Sequence, residues 1–434
     1  MTNDPHSALR RPALRSEVDL LQHATLADGS VVDLRLAGGT LAAVAPSGTM
    51  IPTDADTVLD LDGYVLTAAG ADPHAHLDKA LTFDEIRPPL GDLERAIESF
   101  HGYAAQADAD SIAERARLVL VRMLANGTTA VRSHANFFPA TDANADPLRG
   151  VRALAGIRDE FAGLLDLEIV ALPGDDAPDA LIEQSLDAGA DLIGGAPHLA
   201  EDPVAETHRL LDIAERRGVG VDLHADEALT GGLTLAVYAE RVRDWPVSKS
   251  AGHCVRLGTL PPAELGPVIA AVRAAGIGII SLPITNLYLQ GWEQPVSTPR
   301  GLTALRALID AGVLVAAGGD NVRDPFNPVG RADALETASL LVTAGHLNFE
   351  EAIAAVTTDA RAVMHLPPAG PVVGATADLL AVRAGSVGEA IAFASPDRIV
   401  LHEGRLVAQS HLETHVAVPD PGAALQYSRG RAIA

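Results

Sequence analysis

The most constraining feature of the sequence is a regular alternation of strand-length and helix-length segments through the middle of the chain. The segments between the strands carry apolar residues at helical spacing and end at turns such as Asn126-Gly127, Gly218 and Gly312. Eight strands alternating with helices over roughly 250 residues predict an α/β fold, a (β/α)8 TIM barrel, whose functional side chains lie at the C-terminal ends of the strands. The predicted strands are residues 65–70, 128–134, 167–172, 192–196, 220–224, 250–254, 277–282 and 314–320.

The two ends of the chain predict a second, smaller domain. Short apolar segments alternate with glycine turns in residues 17–64, and the same pattern recurs in residues 366–415. We therefore expect these two segments to form one small β-sandwich domain and residues 65–365 to form the barrel. Residues 1–16 and 416–434 are predicted to be terminal tails.

Charge and cysteine content exclude several functional classes. The formal net charge of −25 argues against nucleic-acid binding, which needs clustered Lys and Arg against the phosphates. Cys254 is the only cysteine, so neither an intrachain disulfide nor a cysteine-rich zinc site can form. No apolar run approaches the roughly 18 residues of a membrane span, and residues 1–16 lack the apolar core of a secretory signal. We expect a cytoplasmic protein without membrane or nucleic-acid partners.

Residues that can bind a metal ion follow three of the predicted strands. His74 and His76 come after the first strand and, being two apart in an extended segment, point to the same face. His224 ends the fifth strand and Asp320 ends the eighth. Because the strand ends of a barrel open at one mouth, these four side chains are predicted to bind one divalent metal ion. Such an ion lowers the pKa of a bound water molecule towards about 7.

Two further residues at the same mouth are candidates for catalysis. Glu227, three residues beyond His224, can transfer protons between water and a substrate nitrogen, a task that Asp320 can share. His253 ends the sixth strand and can polarise the substrate or share the proton transfer.

Each of these residues also has an ordinary structural explanation. A His-x-His triplet occurs by chance in many proteins, and His224 or His253 could be a core histidine. Glu227 could be a solvated or helix-capping acid, and Asp320 a turn former. All of these explanations would have to hold at once, so the combination favours a functional site.

The motifs resemble those of the amidohydrolase superfamily, most closely its cytosine deaminase branch. The resemblance implies a mononuclear metal hydrolase in which His74, His76, His224 and Asp320 are the ligands, Glu227 transfers protons and His253 polarises the substrate. The matching segments are residues 73–78, 131–134, 189–191, 197–198, 224–227, 282–283, 286, 289–291 and 320–330.

The number of metal ions follows from a comparison with the binuclear branch of that superfamily. Binuclear relatives bridge two ions with a carboxylated lysine on the fourth strand. The predicted fourth strand, residues 192–196, contains no lysine, and neither Lys79 nor Lys249 is near it in the sequence. We therefore predict one ion per chain, and both Zn²⁺ and Fe²⁺ suit three histidines and an aspartate.

Two departures from the cytosine deaminase pattern concern the substrate. Those enzymes place a glutamine after the proline that ends the third strand, where this chain has Pro173-Gly174, and a second aspartate where this chain has Asn321. An altered hydrogen-bonding edge selects a different ring, so the preferred substrate is predicted not to be cytosine. His253, Asn321 and Phe326 are the predicted substrate contacts, with plain core packing as the alternative for Phe326.

The leading hypothesis is therefore hydrolytic deamination of a small nitrogen heterocycle. Hydrolysis of a cyclic amide or lactam, and removal of an alkylamine, need the same metal chemistry and stay open as alternatives. A catalytically silent binding subunit is disfavoured, because every expected metal ligand is present. A homo-oligomer is a further expectation, since relatives often assemble.

Overall fold

The structure is a computed structural model and describes residues 12–415. The predicted tail at 416–434, and residues 1–11 of the other tail, lie outside the described residues. The chain divides into two units. Among the described residues, one contains residues 12–70, 124–129 and 367–415, whereas the other contains Ala71–Met123 and Ala130–Leu366.

The strands belong to two eight-stranded sheets. In chain order they are β1 (Leu20–Thr25), β2 (Val31–Ala37), β3 (Thr40–Pro46), β4 (Val58–Asp60), β5 (Tyr64–Ala68), β6 (Gly70–Ala75), β7 (Thr128–Asn136), β8 (Asp166–Leu172), β9 (Leu192–Ile193), β10 (Gly220–Ala225), β11 (Lys249–His253), β12 (Gly278–Ser281), β13 (Val315–Ala317), β14 (Leu379–Arg383), β15 (Arg398–His402) and β16 (Arg405–Gln409).

The sheet of strands β6 to β13 confirms the predicted (β/α)8 barrel. Its strands are hydrogen-bonded in the sequential order β6 to β13. The barrel closes between β6 and the residues after β13, where Ala75 pairs with Asp320 in a parallel bridge. The His76 N–H donates to the Asp320 carbonyl and the Asp320 N–H donates to the His74 carbonyl, each at 2.9 Å. The barrel thus closes at residues that were predicted to bind the metal ion.

The first barrel strand is not the one predicted from the sequence. Most of residues 65–70 belong to β5, which pairs antiparallel with β14 in the other sheet. The barrel begins with β6, which itself carries His74. Only Ala69 separates β5 from β6, and apolar residues continue across that point. Hydrophobicity therefore gave no sign of where the chain leaves one sheet and enters the next.

The helices lie mostly between the barrel strands. Helix α6 shows why they form where they do: the Asp202 side chain accepts a hydrogen bond from the Ala205 N–H, Pro203 is the first helical residue, and Gly218 ends the helix at φ +65°. Within residues 12–415, no helix is both long and apolar enough to cross a membrane. The helices are α1 (Phe83–Ile86), α2 (Leu93–Ala104), α3 (Ala109–Ala125), α4 (Arg149–Glu160), α5 (Asp179–Asp187), α6 (Pro203–Arg217), α7 (Thr234–Arg241), α8 (Pro262–Ala275), α9 (Pro283–Leu289), α10 (Leu305–Asp310), α11 (Ala334–Thr343), α12 (Phe349–Ala355), α13 (Thr358–Val363) and α14 (Val387–Phe393).

The smaller unit joins the two ends of the chain in one β domain, as predicted. Its sheet has the order β16-β15-β14-β5-β1-β2-β3, with β4 paired to β1. Side chains from both ends of the chain share one apolar core, which includes Leu21, Leu34, Leu66, Leu379 and Leu401. Neither end could bury these side chains alone, so the domain needs both segments.

Candidate metal centre and active site

The four predicted metal ligands lie together at the mouth of the barrel. His74 lies in β6, His76 follows that strand, His224 lies in β10 and Asp320 follows β13. Nε2 of His224 is 3.2 Å from Nε2 of His74 and 3.1 Å from Nε2 of His76. Oδ1 of Asp320 is 3.3 Å from His76 Nε2 and 3.9 Å from His74 Nε2. One ring nitrogen from each of His74, His76 and His224 thus lies within 4.8 Å of the others, and the Asp320 carboxylate approaches the first two, which makes the four side chains candidates for one ion site.

This donor set fits a divalent transition metal ion. His224 has at most one proton on Nε2 and cannot donate it fully to two imidazoles, and neither oxygen of Asp320 has a hydrogen-bond partner among residues 12–415. Burial is the main reason that the pKa values of His74, His76 and His224 lie well below 6.5, so the rings are neutral and offer lone pairs. Three imidazoles and a carboxylate are ligands that Zn²⁺ and Fe²⁺ bind.

The backbone at three strand ends adopts a rare conformation. The φ angle is +49° at Asp226, +67° at His253 and +55° at Asp320, all in the left-handed region that favours glycine. A non-glycine residue in a sparsely populated conformation costs of the order of 1–3 kcal/mol and typically persists where function requires it. These three are among fifteen non-glycine residues with positive φ in the described part of the chain.

Asp72 fixes the segment that carries Asp320. Its carboxylate accepts hydrogen bonds from the Gly319 N–H at 3.1 and 3.2 Å and from the His74 N–H at 3.2 Å. A Cβ atom at Gly318 would lie 2.7 Å from Oδ1 of Asp72, so a larger residue at position 318 would displace this carboxylate. The sequence analysis did not predict Asp72 as a site residue. The related sequence feature is the Gly318-Gly319 pair, because these residues leave room for the Asp72 carboxylate.

Glu227 is a buried acid near the metal-ligand cluster, which consists of His74, His76, His224 and Asp320. Its Oε1 is 3.3 Å from Nδ1 of His253, and its Oε2 is 4.0 Å from Nε2 of His198. Burial, and after it the negative charge of Asp320, raise the pKa of Glu227 to about 8. Burial therefore favours the carboxylic acid form of this side chain, which is the form that a general acid requires.

His253 and Glu227 are held by two residues of the segment after β12 that sequence reasoning left without a role. Nδ2 of Asn286 donates to Nδ1 of His253 at 3.0 Å, and Nε2 of Gln290 donates to the Glu227 carbonyl at 2.8 Å. Burial lowers the pKa of His253 to about 3, so the ring is neutral. Because Nδ1 accepts from Asn286, the proton of His253 is on Nε2, which has no other partner among the described residues.

The predicted substrate contacts have different surroundings. Both amide atoms of Asn321 bind within the protein, since Oδ1 accepts from Thr285 Oγ1 at 3.2 Å and Nδ2 donates to Asp324 Oδ2 at 2.8 Å. Within residues 12–415, one amide N–H and one lone pair of Oδ1 of Asn321 are left for a ligand. Phe326 is half-buried, and its ring centroid is 3.9 Å from Nζ of Lys79. Contact of either residue with substrate stays a prediction.

A layer of buried charge lies beneath the metal ligands. Arg132 and Asp222 precede His134 and His224 by two residues on their strands and so share their faces. Nη1 of Arg132 donates to Asp222 Oδ2 and to Ser250 Oγ, both at 2.8 Å. His74, His134 and Asp222 also lie close enough to hold an ion. Because the Asp222 carboxylate accepts a hydrogen bond from Arg132, it is a weaker metal ligand. The set of His74, His76, His224 and Asp320 is therefore the better candidate for the metal site.

The sequence of the chain matches a known family of enzymes. The family model described as "Amidohydrolase family" matches residues 100–408, which is more than half of the chain. The chain belongs to the amidohydrolase family. This membership confirms the predicted enzyme class, a metal-dependent hydrolase of carbon–nitrogen bonds.

Three relatives of this amidohydrolase illustrate the similarity. It is 31% identical to pterin deaminase from Rhizobium rhizogenes over 87% of this chain and 88% of that protein. The solved structure of 5-methylcytosine deaminase from Klebsiella pneumoniae with phosphonocytosine has a TM-score of 0.82 and 27% identity, covering 92% of this chain and 100% of that one. N-isopropylammelide isopropylaminohydrolase from Burkholderia multivorans has a TM-score of 0.77 and 27% identity, covering 90% and 98%.

Proposed function

We propose that this amidohydrolase removes an exocyclic amino group from a nitrogen heterocycle and that it uses one metal ion, Zn²⁺ or Fe²⁺. The observation that carries the proposal is the proximity of three histidine Nε2 atoms and the Asp320 carboxylate to one another, with the buried acid Glu227 beside His253. The names of the relatives support a ring substrate, since they act on pterin, 5-methylcytosine and N-isopropylammelide.

His74, His76, His224 and Asp320 would hold the ion. When bound, the ion supplies Lewis-acid chemistry, because it lowers the pKa of water and makes hydroxide available at neutral pH. The reaction exchanges the amino group for the oxygen of water. One carbon–oxygen bond forms, one carbon–nitrogen bond breaks, and ammonia leaves with a proton derived from water.

The protein's own residues move the protons in this reaction. As a carboxylic acid, Glu227 donates a proton to the ring nitrogen next to the reacting carbon, which makes that carbon more electrophilic. The resulting carboxylate then accepts a proton from the added oxygen and passes it to the departing amine. The Nε2–H of His253, whose proton position is set by Asn286, is free to donate to that oxygen.

The decisive experiment replaces Glu227 and leaves the four candidate metal ligands unchanged. Glu227→Gln should contain as much metal as the unchanged protein and lose at least about 10²-fold in kcat, which is the lower range for general acid catalysis. Glu264→Gln, an exposed position in α8, is the matched control and should keep full activity. A metal-loaded Glu227→Gln protein with normal turnover would contradict the assignment.

Product analysis separates the remaining alternatives. The unchanged protein is screened against pterin, 5-methylcytosine, cytosine, N-isopropylammelide and simple lactams. Ammonia with an intact ring supports deamination, isopropylamine supports removal of an alkylamine, and a new carboxylate with an opened ring supports cyclic amide hydrolysis. Metal-loaded protein that changes none of these compounds would favour the binding-subunit alternative.

A further inference from the structure

Within residues 12–415, Lys79 is a buried cation without an anionic partner. Only 5% of the residue is exposed, and among residues 12–415 its Nζ has no hydrogen bond and no carboxylate within ion-pair distance. The nearest aromatic groups are the ring of Phe326, with its centroid 3.9 Å from Nζ, and that of Phe100, at 5.8 Å. A buried cation is unfavourable unless it is paired, and a phenylalanine face compensates only part of that cost.

The segment around Lys79 is fixed by hydrogen bonds, so its position is not accidental. The Asp78 carboxylate accepts from the N–H of Asn136 at 2.7 Å and from its Nδ2 at 2.8 Å. Arg115 donates to the carbonyls of Asp78 and Ala80, each at 3.0 Å. The Lys79 carbonyl itself accepts from Thr82 Oγ1 at 2.6 Å. The protein therefore holds the base of this side chain rigidly three residues beyond a predicted metal ligand.

The charge of Lys79 acts on the groups of the candidate active site. Burial raises the pKa of Glu227, and the Lys79 ammonium opposes that rise. Burial lowers the pKa of His253, and the ammonium lowers it further. The ammonium is thus electrostatically coupled to the residues that would surround a substrate.

We propose that Lys79 binds an electron-rich oxygen of the substrate, either a ring oxo group or a carboxylate attached to the ring, while Phe326 flanks the ring. The inference rests on the proposed function, because it names the chemistry of the ring that this site accepts. The three N–H donors of the ammonium lack acceptors in the described part of the chain and gain one from such an oxygen. A heterocycle without an oxygen substituent leaves the cation unpaired and binds more weakly.

Binding of small rings tests this inference without requiring turnover. Pyrimidine, 2-hydroxypyrimidine and pyrimidine-4-carboxylate share one ring and differ only in the oxygen substituent. Their dissociation constants are measured by calorimetry on metal-loaded unchanged protein and on Lys79→Met, which keeps the length and apolar stem of the side chain. We expect Lys79→Met to weaken the binding of at least one oxygen-bearing ring by about tenfold or more and to leave pyrimidine within about twofold.

Two further variants separate recognition from folding. Lys79→Arg keeps a cation and should recover part of the lost affinity, which a purely structural role would not predict. Lys249→Met removes the only other lysine, whose Nζ donates to the carbonyls of Val242 and Trp245, and should leave the three affinities unchanged.

Each outcome of this series has a defined meaning. Loss confined to 2-hydroxypyrimidine identifies a ring oxo group as the partner, and loss confined to the carboxylate identifies a ring acid. Equal loss for all three rings, no loss for any, or no detectable binding of either oxygen-bearing ring to the unchanged protein overturns the inference. Failure of the proposed function is seen separately, as absence of ammonia release from every aminated ring.

Discussion

At the scale of single residues, the metal-ligand cluster depends on a position where no side chain fits. A Cβ atom at Gly252 would lie 2.7 Å from both Cε1 and Nδ1 of His74, whose ring is fully buried. Because protein interiors are close-packed, the ring cannot move away without displacing its neighbours. The glycine at the end of β11 is therefore required for the position of a ligand on β6.

The first prediction follows from this contact. Gly252→Ala should push the His74 ring away from the other three candidate ligands and weaken metal binding by about 10- to 100-fold, the range seen when residues that orient ligands are altered. Elemental analysis after dialysis measures the loss. Gly266→Ala in α8, where a Cβ would meet nothing within 4 Å, is the control and should retain full metal content. Equal metal content in the two variants would contradict the role given to Gly252.

The proximity of the four candidate metal ligands could be predicted at this scale, whereas the residues that hold them in place could not. His74, His76, His224 and Asp320 follow strand ends, and barrel geometry brings strand ends together whatever their separation in sequence. Asn286 and Lys79 carry no such signal, because an amide or an ammonium occurs anywhere on a protein surface. Their contacts depend on side-chain directions in irregular segments, which a sequence pattern does not specify.

At the scale of elements, segment length and hydrophobic periodicity predicted whether a barrel segment is a strand or a helix. They predicted the boundaries of those segments less accurately. The break between β5 and β6 is one residue long and lies inside an apolar run. In the predicted strand 192–196, regular strand structure is confined to Leu192–Ile193. The Gly194 N–H still donates to the Ala171 carbonyl and the Gly195 carbonyl still accepts from the His224 N–H, before the 3₁₀ turn at Pro197–Leu199. Strand hydrogen bonding is decided by neighbours, and those neighbours are distant in sequence.

Helix α12 gives a prediction about pH. Glu351 accepts from the Asn348 N–H in a capping box and receives two hydrogen bonds from Arg306, at 2.8 and 2.7 Å. The Arg306 bonds, and after them the backbone bond, lower the pKa of Glu351 to about 2 from its ordinary 4.5. The folded state thus favours the ionised form. This contribution to stability is present above pH 4.5 and is lost as the pH falls towards 2.

Glu351→Gln removes the negative charge and keeps the capping box, because glutamine also completes a capping box. The variant should unfold about 1–2 °C below the unchanged protein at about pH 7, a small shift because both side chains are partly exposed to solvent. The difference in unfolding temperature should shrink between about pH 4 and about pH 3. Circular dichroism during heating measures it, and a difference that grows in acid would contradict the assigned sign.

At the scale of the whole molecule, the predicted metal site joins parts of the barrel that the chain connects only through long segments. Its ligands come from the first, fifth and last strands, and the closure of the barrel between β6 and β13 runs through Asp320. Without a cation, three imidazoles and a carboxylate are buried against one another with few hydrogen bonds. An ion that binds the folded but not the unfolded chain stabilises the fold by mass action.

Removal of the metal should therefore destabilise the protein as well as inactivate it. At a free metal concentration about 1,000-fold above the dissociation constant, binding contributes about 4 kcal/mol, so chelation should lower the unfolding temperature by about 5 °C. Adding back Zn²⁺ or Fe²⁺ should restore it, and the ion that restores turnover identifies the native metal. His224→Ala, which lacks one ligand, should melt at the same temperature with and without chelator. If the unchanged protein were equally insensitive, the four side chains would not be holding an ion, and the chemistry assigned to them would have to be abandoned.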